Sequence, residues 1–315
     1  MKTRIASVEQ TDFTLERVSC NLCNADDPLS IYTEGAIELV CCRNCDLVYV
    51  SPRLKKDQVL ALYDQRYFNA QDDFIRGTRI YKGGYRDYLG DQDFYQQTFR
   101  RRMNEIESYA GDVGRLLEVG CAAGFFLSVA RERGWQVEGI EPAEFVAAYA
   151  RKYFGVTVYN GTLEEFQLAE ESYNLVAIWD TLEHLPDPRQ TLTRVHELLK
   201  PEGLLVISTH DINSWVARIF RTNWYQIGPH LHLYYFSPKT IQNLLTATGF
   251  YVINIKRKAA GKVCSFRFLV DKLSAYNQIL YQLACRALLA YPPLASRAIY
   301  VNPGDEFIVY ARKRA

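Results

Sequence analysis

Four cysteines stand in two pairs of equal spacing, Cys20-x-x-Cys23 and Cys42-x-x-Cys45, with 18 residues between the pairs. A two-residue gap lets a tight turn aim two thiolates at one ion, and two such turns complete a sulfur tetrahedron around Zn2+. Such a site leaves no open coordination position, so its role is structural. Cys41 lacks the spacing to Cys45 and is the spare thiol. Five of the eight cysteines fall within 26 residues, a clustering that in a reducing compartment favours metal over disulfides.

A second run, Leu116-Leu117-Glu118-Val119-Gly120-Cys121-Ala122-Ala123-Gly124, suits different chemistry. Small residues at 120, 122 and 124 let the backbone approach a ligand closely. A helix beginning near Gly124 turns its N–H groups towards that ligand. Glu141 follows 17 residues after Gly124, at a strand end, where a carboxylate can accept both hydroxyls of a ribose; a solvated strand-end carboxylate is the plainer reading. The register is not that of a dinucleotide turn. After Gly120 the pattern G-x-G-x-x-G needs Gly at 122 and 125, where this chain has Ala and Phe, which weakens a nicotinamide-dependent dehydrogenase.

The elements that must position these groups alternate from Arg115 onward. Apolar runs RLLEVG, WQVEGIEP, VTVYNG, YNLVAIWD and GLLVISTH read as strands. Phe125 to Arg133, Ala143 to Phe154 and Pro188 to Leu199 read as the helices between them. Ser237 to Thr248 is a later helix with Ser237 as N-cap, and YVINIKRK and EFIVYARK are closing strands. Strands separated by helices imply βαβ units and a parallel sheet. The expected organisation is a small ribbon over 1–60, a helical cap or linker over 61–110, helical from about Gln92 to Tyr109, and an α/β domain over 111–315.

Nearly half the residues, 48%, are hydrophobic and the formal net charge is +1, which suits a sizeable core and gives no general pull towards nucleic acid or an anionic membrane. Residues 1–60 hold seven Lys/Arg and nine Asp/Glu, a net of −2 that does not suit a phosphate-binding ribbon. No signal-peptide pattern or apolar run long enough to span a membrane is expected, so a cytoplasmic protein is the default. The segment 268–294 reads as an amphipathic helix; packing on its own domain is the plain reading, and peripheral membrane or dimer contact the sharper one.

In order and spacing these motifs resemble the class I methyltransferases that use S-adenosylmethionine, over about residues 115–312. The family's first motif, E/D-x-G-x-G-x-G, matches Glu118, Gly120, Ala122 and Gly124, with Ala for the middle Gly. Glu141 matches the ribose-binding acid, and Gly161-Thr162-Leu163 falls where the family contacts adenine. Asp180-Thr181-Leu182-Glu183-His184-Leu185-Pro186-Asp187-Pro188 resembles the segment after strand four, and Leu199 to Leu204 the approach to strand five. The resemblance implies a Rossmann-like, seven-stranded, mostly parallel sheet flanked by helices. It implies S-adenosylmethionine held by Glu118, Gly120, Cys121, Ala122, Gly124, Glu141, Pro142, Thr162, Leu163 and Asp180. The cysteine pairs followed by Leu47-Val48-Tyr49, Pro52 and Arg53 resemble the zinc-ribbon head on bacterial methyltransferases of this type. That head implies a small-molecule acceptor: a sugar, a nucleotide sugar or a related metabolite of surface-polysaccharide or secondary metabolism.

A hydroxyl or acidic-carbon acceptor is helped by a base of near-neutral pKa, for which histidine is the natural choice. Of the five histidines, His184 follows strand four, while His230 and His232 lie in GPHLHLYYFSP; these three are the candidates. A helix cap or backbone-satisfying contacts in a packed loop are the plainer readings. His196 reads as structural and His210 has no role assigned by its neighbours. Asp180, Glu183 and His184 resemble the E-x-x-E-H segment that binds Mg2+ in ubiquinone-pathway O-methyltransferases, a minor expectation because oxygen donors with one His are unspecific. The basic run Arg76, Arg79, Lys82, Arg86 and Arg100 to Arg102, with Tyr81, Tyr85 and Tyr88, reads as a solvated helical face or as a cover meeting a phosphate-bearing acceptor. The rival functions are an RNA base methyltransferase and a non-catalytic cofactor-binding scaffold.

Overall fold

The computed structural model describes residues 14–63, 65–69, 85, 87–273 and 277–314. The chain opens with short strands β1 (Leu15–Glu16), β2 (Pro28–Glu34), β3 (Ile37–Cys42), β4 (Val48–Val50) and β5 (Arg53–Leu54). Helices α1 (Lys56–Ala61), α2 (Gln65–Phe68) and α3 (Gln92–Ala110) follow. The alternating part then runs β6 (Arg115–Val119), α4 (Phe125–Glu132), β7 (Gln136–Glu141), α5 (Glu144–Tyr149), β8 (Thr157–Asn160), β9 (Tyr173–Trp179), α6 (Pro188–Leu198) and β10 (Leu199–His210). After α7 (Trp215–Phe220) and β11 (Tyr234–Tyr235) come α8 (Pro238–Ala247), β12 (Phe250–Lys256) and β13 (Lys262–Ser265). The chain closes with α9 (Phe266–Leu273), α10 (Gln278–Ala290), α11 (Pro292–Ala295), β14 (Ala298–Val301) and β15 (Glu306–Lys313).

Seven strands form one sheet in the order β12-β15-β10-β9-β6-β7-β8, with β15 antiparallel to both neighbours and the rest parallel. The expected fold class is the observed one. Successive side chains of a strand point to opposite faces, and the core divides accordingly. Leu117, Val119, Val176, Ile178, Leu205 and Ile207 pack on one side with Leu192 and Val195 of α6, Ile241 and Leu244 of α8, and the N-terminal ribbon. Leu116, Leu175, Ala177, Leu204 and Val206 pack on the other with Met103 of α3, Phe126 of α4 and Val146 of α5. Because both faces are covered, β9 is buried along almost its whole length, which is why its sequence reads as a continuous apolar run. Strand order reverses at β6, and the crevice outside the strand ends at such a point is where open α/β sheets bind ligands.

Two segments differ from the sequence expectation. GPHLHLYYFSP is not only a loop: Tyr234 and Tyr235 pair antiparallel with Tyr49 and Val48, so β11 completes the four-stranded sheet β11-β4-β3-β2. A two-residue strand exists only through its partner, and no local pattern announces it. The 268–294 segment forms separate helices, because the Asn277 side chain accepts from the N–H groups of Ile279 and Leu280 and starts α10 afresh. One side of α10 packs through Tyr281 and Leu288 into a cluster with Val270, while Ile279, Leu280, Leu283 and Leu289 are more than half exposed. Among the described residues no helix is long and apolar enough to cross a membrane.

The ribbon grips the loop after β9. Asn21 and Leu22, between Cys20 and Cys23, hold it from one side: Asn21 Nδ2 donates to Asp187 Oδ1 at 2.8 Å, Arg189 N donates to Asn21 Oδ1 at 3.0 Å, and Arg189 Nη1 donates to the Leu22 carbonyl at 3.3 Å. Arg53 holds it from another. Its Nη1 donates to the Pro186 carbonyl at 2.9 Å and to the Tyr234 hydroxyl at 3.1 Å, and its Nε reaches Glu16 Oε1 at 3.1 Å. Arg53 is buried, so removing it leaves acceptors without donors, a loss of about 1–3 kcal/mol. Arg53→Ala is therefore expected to lower Tm and to speed amide exchange over residues 182–189. Arg43→Ala, which breaks only an exposed pair with Asp27, is expected to change stability by less than ~1 kcal/mol. Equal effects of the two substitutions would show that the grip contributes nothing.

Candidate functional site

The two cysteine turns repeat one geometry. Asn24 N donates to Cys20 O at 2.8 Å and Cys20 N to Ala25 O at 3.0 Å; Asp46 N donates to Cys42 O at 3.0 Å and Cys42 N to Leu47 O at 2.9 Å. Asn24 (φ 60°) and Asp46 (φ 65°) occupy the left-handed position that closes each turn, a conformation that Asn and Asp tolerate best among side-chain-bearing residues. The four sulfurs all lie within 4.8 Å of one another, with Cys20–Cys45 at 3.4 Å and Cys23–Cys42 at 3.5 Å. Zn–S bonds of about 2.3 Å place tetrahedral sulfurs ~3.8 Å apart, so the set closes on one zinc ion with small adjustments. Cys41 stands outside the set.

A cleft of about 1460 Å³, open mouth included, lies at the ends of β6, β7 and β9. Gly120 (φ 75°) must be glycine twice over, since a Cβ there would also meet the Thr181 side chain at 2.5 Å. Ala122 (φ 43°) is left-handed without being glycine. Its N–H donates to Glu141 Oε2 at 2.9 Å, while Ala143 N donates to Oε1 at 2.8 Å, so one buried carboxylate ties the turn to the end of β7. Burial pushes Glu141 up to about 7, with the two N–H groups pulling the other way. Glu118 beside it is buried with Oε2 unpartnered, and burial followed by the Glu141 charge pushes its pKa well above the carboxylate range. Glu118, Gly120, Cys121, Ala122, Glu141, Pro142, Thr162, Leu163 and Asp180 all line the cleft. Gly124 does not; it caps α4 at φ 73°, where a Cβ would meet the Ala150 Cβ at 2.8 Å.

Past β9 the lining turns ionic. Asp180 Oδ2 lies 2.9 Å from Lys262 Nζ, its Oδ1 accepts from Ser208 Oγ at 2.7 Å, and Lys262 also reaches Glu306 Oε1 at 2.8 Å. Burial opposes ionisation of Asp180, but Lys262, Arg102 and Ser208 override it and hold the carboxyl well below its usual range. Burial leaves Glu306 raised to about 6 in spite of Lys262.

His184 lines the cleft, with Nδ1 at 2.8 Å from the Tyr63 hydroxyl and 3.0 Å from the Leu231 carbonyl. A carbonyl only accepts, so Nδ1 carries the proton and Nε2 keeps the lone pair. Burial, then His232, depresses His184 to about 3. His232 stands behind it, rings 4.7 Å apart, with Nδ1 fixed on the Gln226 carbonyl at 2.7 Å. His210 continues the line at 4.4 Å from His232 and meets Glu183, which burial and the Asp180 charge push up to about 8. His230 is exposed and outside the cleft lining, and His196 packs against Phe250. The three candidates for Mg2+ diverge: Asp180 faces Lys262, Glu183 faces Thr209 and His210, and His184 faces Tyr63. As arranged they do not fit one ion.

An aromatic wall was not foreseen as a unit. Tyr63, Tyr67, Tyr85, Tyr88 and Tyr95 line the cleft, with successive ring centroids 4.7 to 5.5 Å apart, and Tyr88 stacks on Phe125. Burial raises these phenols, so they are neutral. Tyrosine density between 63 and 95 was the available signal. Of the basic run, Arg100 makes an exposed pair with Glu132, Arg101 covers the Tyr300 ring, and Arg102 is buried in the cleft wall. Arg76, Arg79, Tyr81, Lys82 and Arg86 lie outside the described residues.

Comparison with known proteins agrees with this geometry. Over 119 residues the chain is 35% identical to a protein named ubiquinone biosynthesis O-methyltransferase from Pseudomonas paraeruginosa, covering 36% of this chain and 51% of that one. Over 165 residues it is 28% identical to the protein of the same name from Idiomarina loihiensis, covering 47% of this chain and 67% of that one. The chain thus spans about half the length of the first of these relatives. A Thermotoga maritima structure described as a SAM-dependent methyltransferase, possible histamine N-methyltransferase, is 20% identical with a TM-score of 0.46, covering 71% of this chain and 91% of that one. A family model described as a methyltransferase domain matches residues 92–255, the stretch that carries the glycine turn, Glu141, Asp180 and His184. That match takes in just over half of the 315 residues, and the chain belongs to the methyltransferase-domain family.

Proposed function

We propose that the protein is an S-adenosylmethionine-dependent methyltransferase with a structural zinc ribbon, acting on a hydroxyl of a small-molecule acceptor. The observation that carries the reading is Glu118 Oε2, buried and unpartnered beside the glycine turn, where it can answer an ammonium group. Glu141, Gly120 and Ala122 fit the rest of such a cofactor: a carboxylate for ribose hydroxyls and backbone that a ligand can approach closely. The cofactor, when bound, supplies a methyl group open to in-line displacement. The chain's task is then alignment and exclusion of water. The tyrosine wall supplies neutral faces that cover the site and favour a cationic centre. His184 Nε2, unprotonated at neutral pH, accepts a hydrogen bond from the acceptor hydroxyl and orients it; depressed to about 3, the ring positions the acceptor and is too weak a base to hold its proton.

An enclosed, aromatic cleft supports a small acceptor over a polymer, and the net of −2 over residues 1–60 counts against RNA. Sugars and nucleotide sugars fit this reading, since their hydroxyls are the reacting groups and their rings pack on tyrosine faces. The relatives' printed O-methyltransferase activity is in keeping with hydroxyl acceptors.

Calorimetric titration of zinc-loaded protein with S-adenosylmethionine and S-adenosylhomocysteine is expected to show binding that Glu141→Ala abolishes; a folded protein that binds neither would sink the methyltransferase reading. Ribose hydroxyls donate to the ionised form of Glu141, whose pKa is raised to about 7, so affinity must fall as pH drops through that value. S-adenosylhomocysteine should bind about tenfold more weakly at pH 6 than at pH 8, and Glu141→Gln should flatten the profile. A wild-type profile that is already flat would refute the role given to Glu141. His184→Ala should lower kcat about 100-fold, through lost positioning of the acceptor found by screening nucleotide sugars, phenols and RNA, and leave cofactor affinity unchanged. Wild-type turnover in that variant would remove His184 from the reaction.

A further inference from the structure

Arg102 projects from α3 into the wall of the cleft and is only 3% exposed. Its guanidinium lies 4.7 Å over the Trp179 ring and 5.7 Å from the Phe99 ring. Nη2 donates to the Ala260 carbonyl at 3.3 Å, Nε has no acceptor, and no ion pair involves it among the described residues. Asp180 is near enough for its charge to be felt, yet no carboxylate among the described residues hydrogen-bonds the guanidinium, and a buried Nε without an acceptor is an expensive arrangement for a protein to keep. Stacking on aromatic faces offsets part of the cost without using the in-plane N–H groups, of which Nε is left without an acceptor.

The neighbouring groups repeat the imbalance. Trp179 Nε1, also in the lining, is buried without an acceptor. The two nearby carboxylates, Asp180 and Glu306, are both engaged by the Lys262 ammonium. This wall therefore presents donors, Arg102 Nε and Trp179 Nε1, for which no acceptor stands among the described residues. It stands at the ends of β9 and β13, past the strand-order reversal from the Glu118 and Glu141 side assigned to cofactor.

We propose that Arg102 and Trp179 form an oxyanion subsite, so that the methyl acceptor carries a carboxylate or a phosphate besides its reacting hydroxyl. The proposal rests on the methyltransferase reading for the word acceptor, but the subsite itself is a property of this wall. An arginine can present two parallel N–H groups to two oxygens of one anion, which selects strongly against uncharged analogues.

The test uses zinc-loaded protein saturated with S-adenosylhomocysteine and titrated calorimetrically with inorganic phosphate, with benzoate and with uncharged benzyl alcohol. Binding of at least one anion, tenfold or more tighter than benzyl alcohol, is expected. Phosphate alone would mark a phosphate-bearing acceptor, and benzoate alone a carboxylate. Arg102→Gln should weaken the anion at least tenfold with S-adenosylhomocysteine affinity unchanged. Arg102→Lys, which keeps charge without the planar fork, should fall between, and Trp179→Phe, which removes only the N–H and part of the ring, should also weaken the anion; these two decide the matter if Arg102→Gln does not fold. If neither anion binds, or if the variants bind it as the wild type does, the subsite is overturned. If S-adenosylhomocysteine itself fails to bind, that failure belongs to the cofactor reading, and the same anion titration without it still decides the subsite.

Discussion

The Glu141 carboxylate accepts one N–H from each side of the crevice mouth, from Ala122 in the glycine turn and from Ala143 at the start of α5. That pair of bonds fixes the glycine turn against the end of β7, on which the cleft's floor depends. They hold Ala122 in a left-handed conformation that costs an L-residue about 1–2 kcal/mol. With Ala122 fixed, the turn can pass close to Thr181 and leave Glu118 facing the cleft. A side chain in the middle position of the glycine motif is tolerated because a carboxylate, rather than glycine's freedom, stabilises the backbone there.

The ribbon is tied to the same crevice from outside. Asn21 and Leu22 sit inside the first cysteine turn, so the segment that would be ordered by metal is the segment that holds Asp187 and Arg189. Three residues before Asp187 stands His184, and the next residues of the N-terminal part, through Tyr63, reach its ring directly. Ribbon folding, loop position and the orientation of His184 are thus steps of one chain of contacts. This arrangement explains why β11 leaves the main domain to pair with β4: it brings Tyr234 to the Pro186 carbonyl that Arg53 also holds.

Much of this was legible in the sequence because it is local. The cysteine pairs, the glycine turn and Glu141 each depend on spacing along one element, and the buried strands announce themselves as apolar runs. Alternation of strands and helices implied a parallel sheet, and the resemblance to class I methyltransferases its seven strands; the strand order was not read from the sequence. What was not legible is made between distant segments. Arg102 read as one of three consecutive arginines, and only packing of α3 on the sheet separates it from Arg100 and Arg101. Lys262 comes from a four-residue strand whose partner lies beyond α11. His232 and His230 looked alike two residues apart, and it is the turn at Gly228 that sends one behind His184 and the other to the surface.

The cleft also sorts its charges by partner rather than by residue type. Burial raises Glu118, Glu141 and Glu183, which have no cationic partner, and Glu306 in spite of Lys262, whereas Asp180, equally enclosed, is held ionised by Lys262 and Arg102 together. A low-dielectric pocket charges a carboxyl only where a counter-charge is already placed. On the proposed cofactor binding, Glu118 and Glu141 would become anionic as the ligand supplies donors and positive charge. On the proposed oxyanion subsite, Arg102 would gain from the acceptor the hydrogen-bonded anion that Asp180, engaged with Lys262, does not give it. Two ligands of complementary charge would each complete the half the protein leaves unfinished, and the reacting hydroxyl would be held between them beside a histidine kept neutral by the same burial.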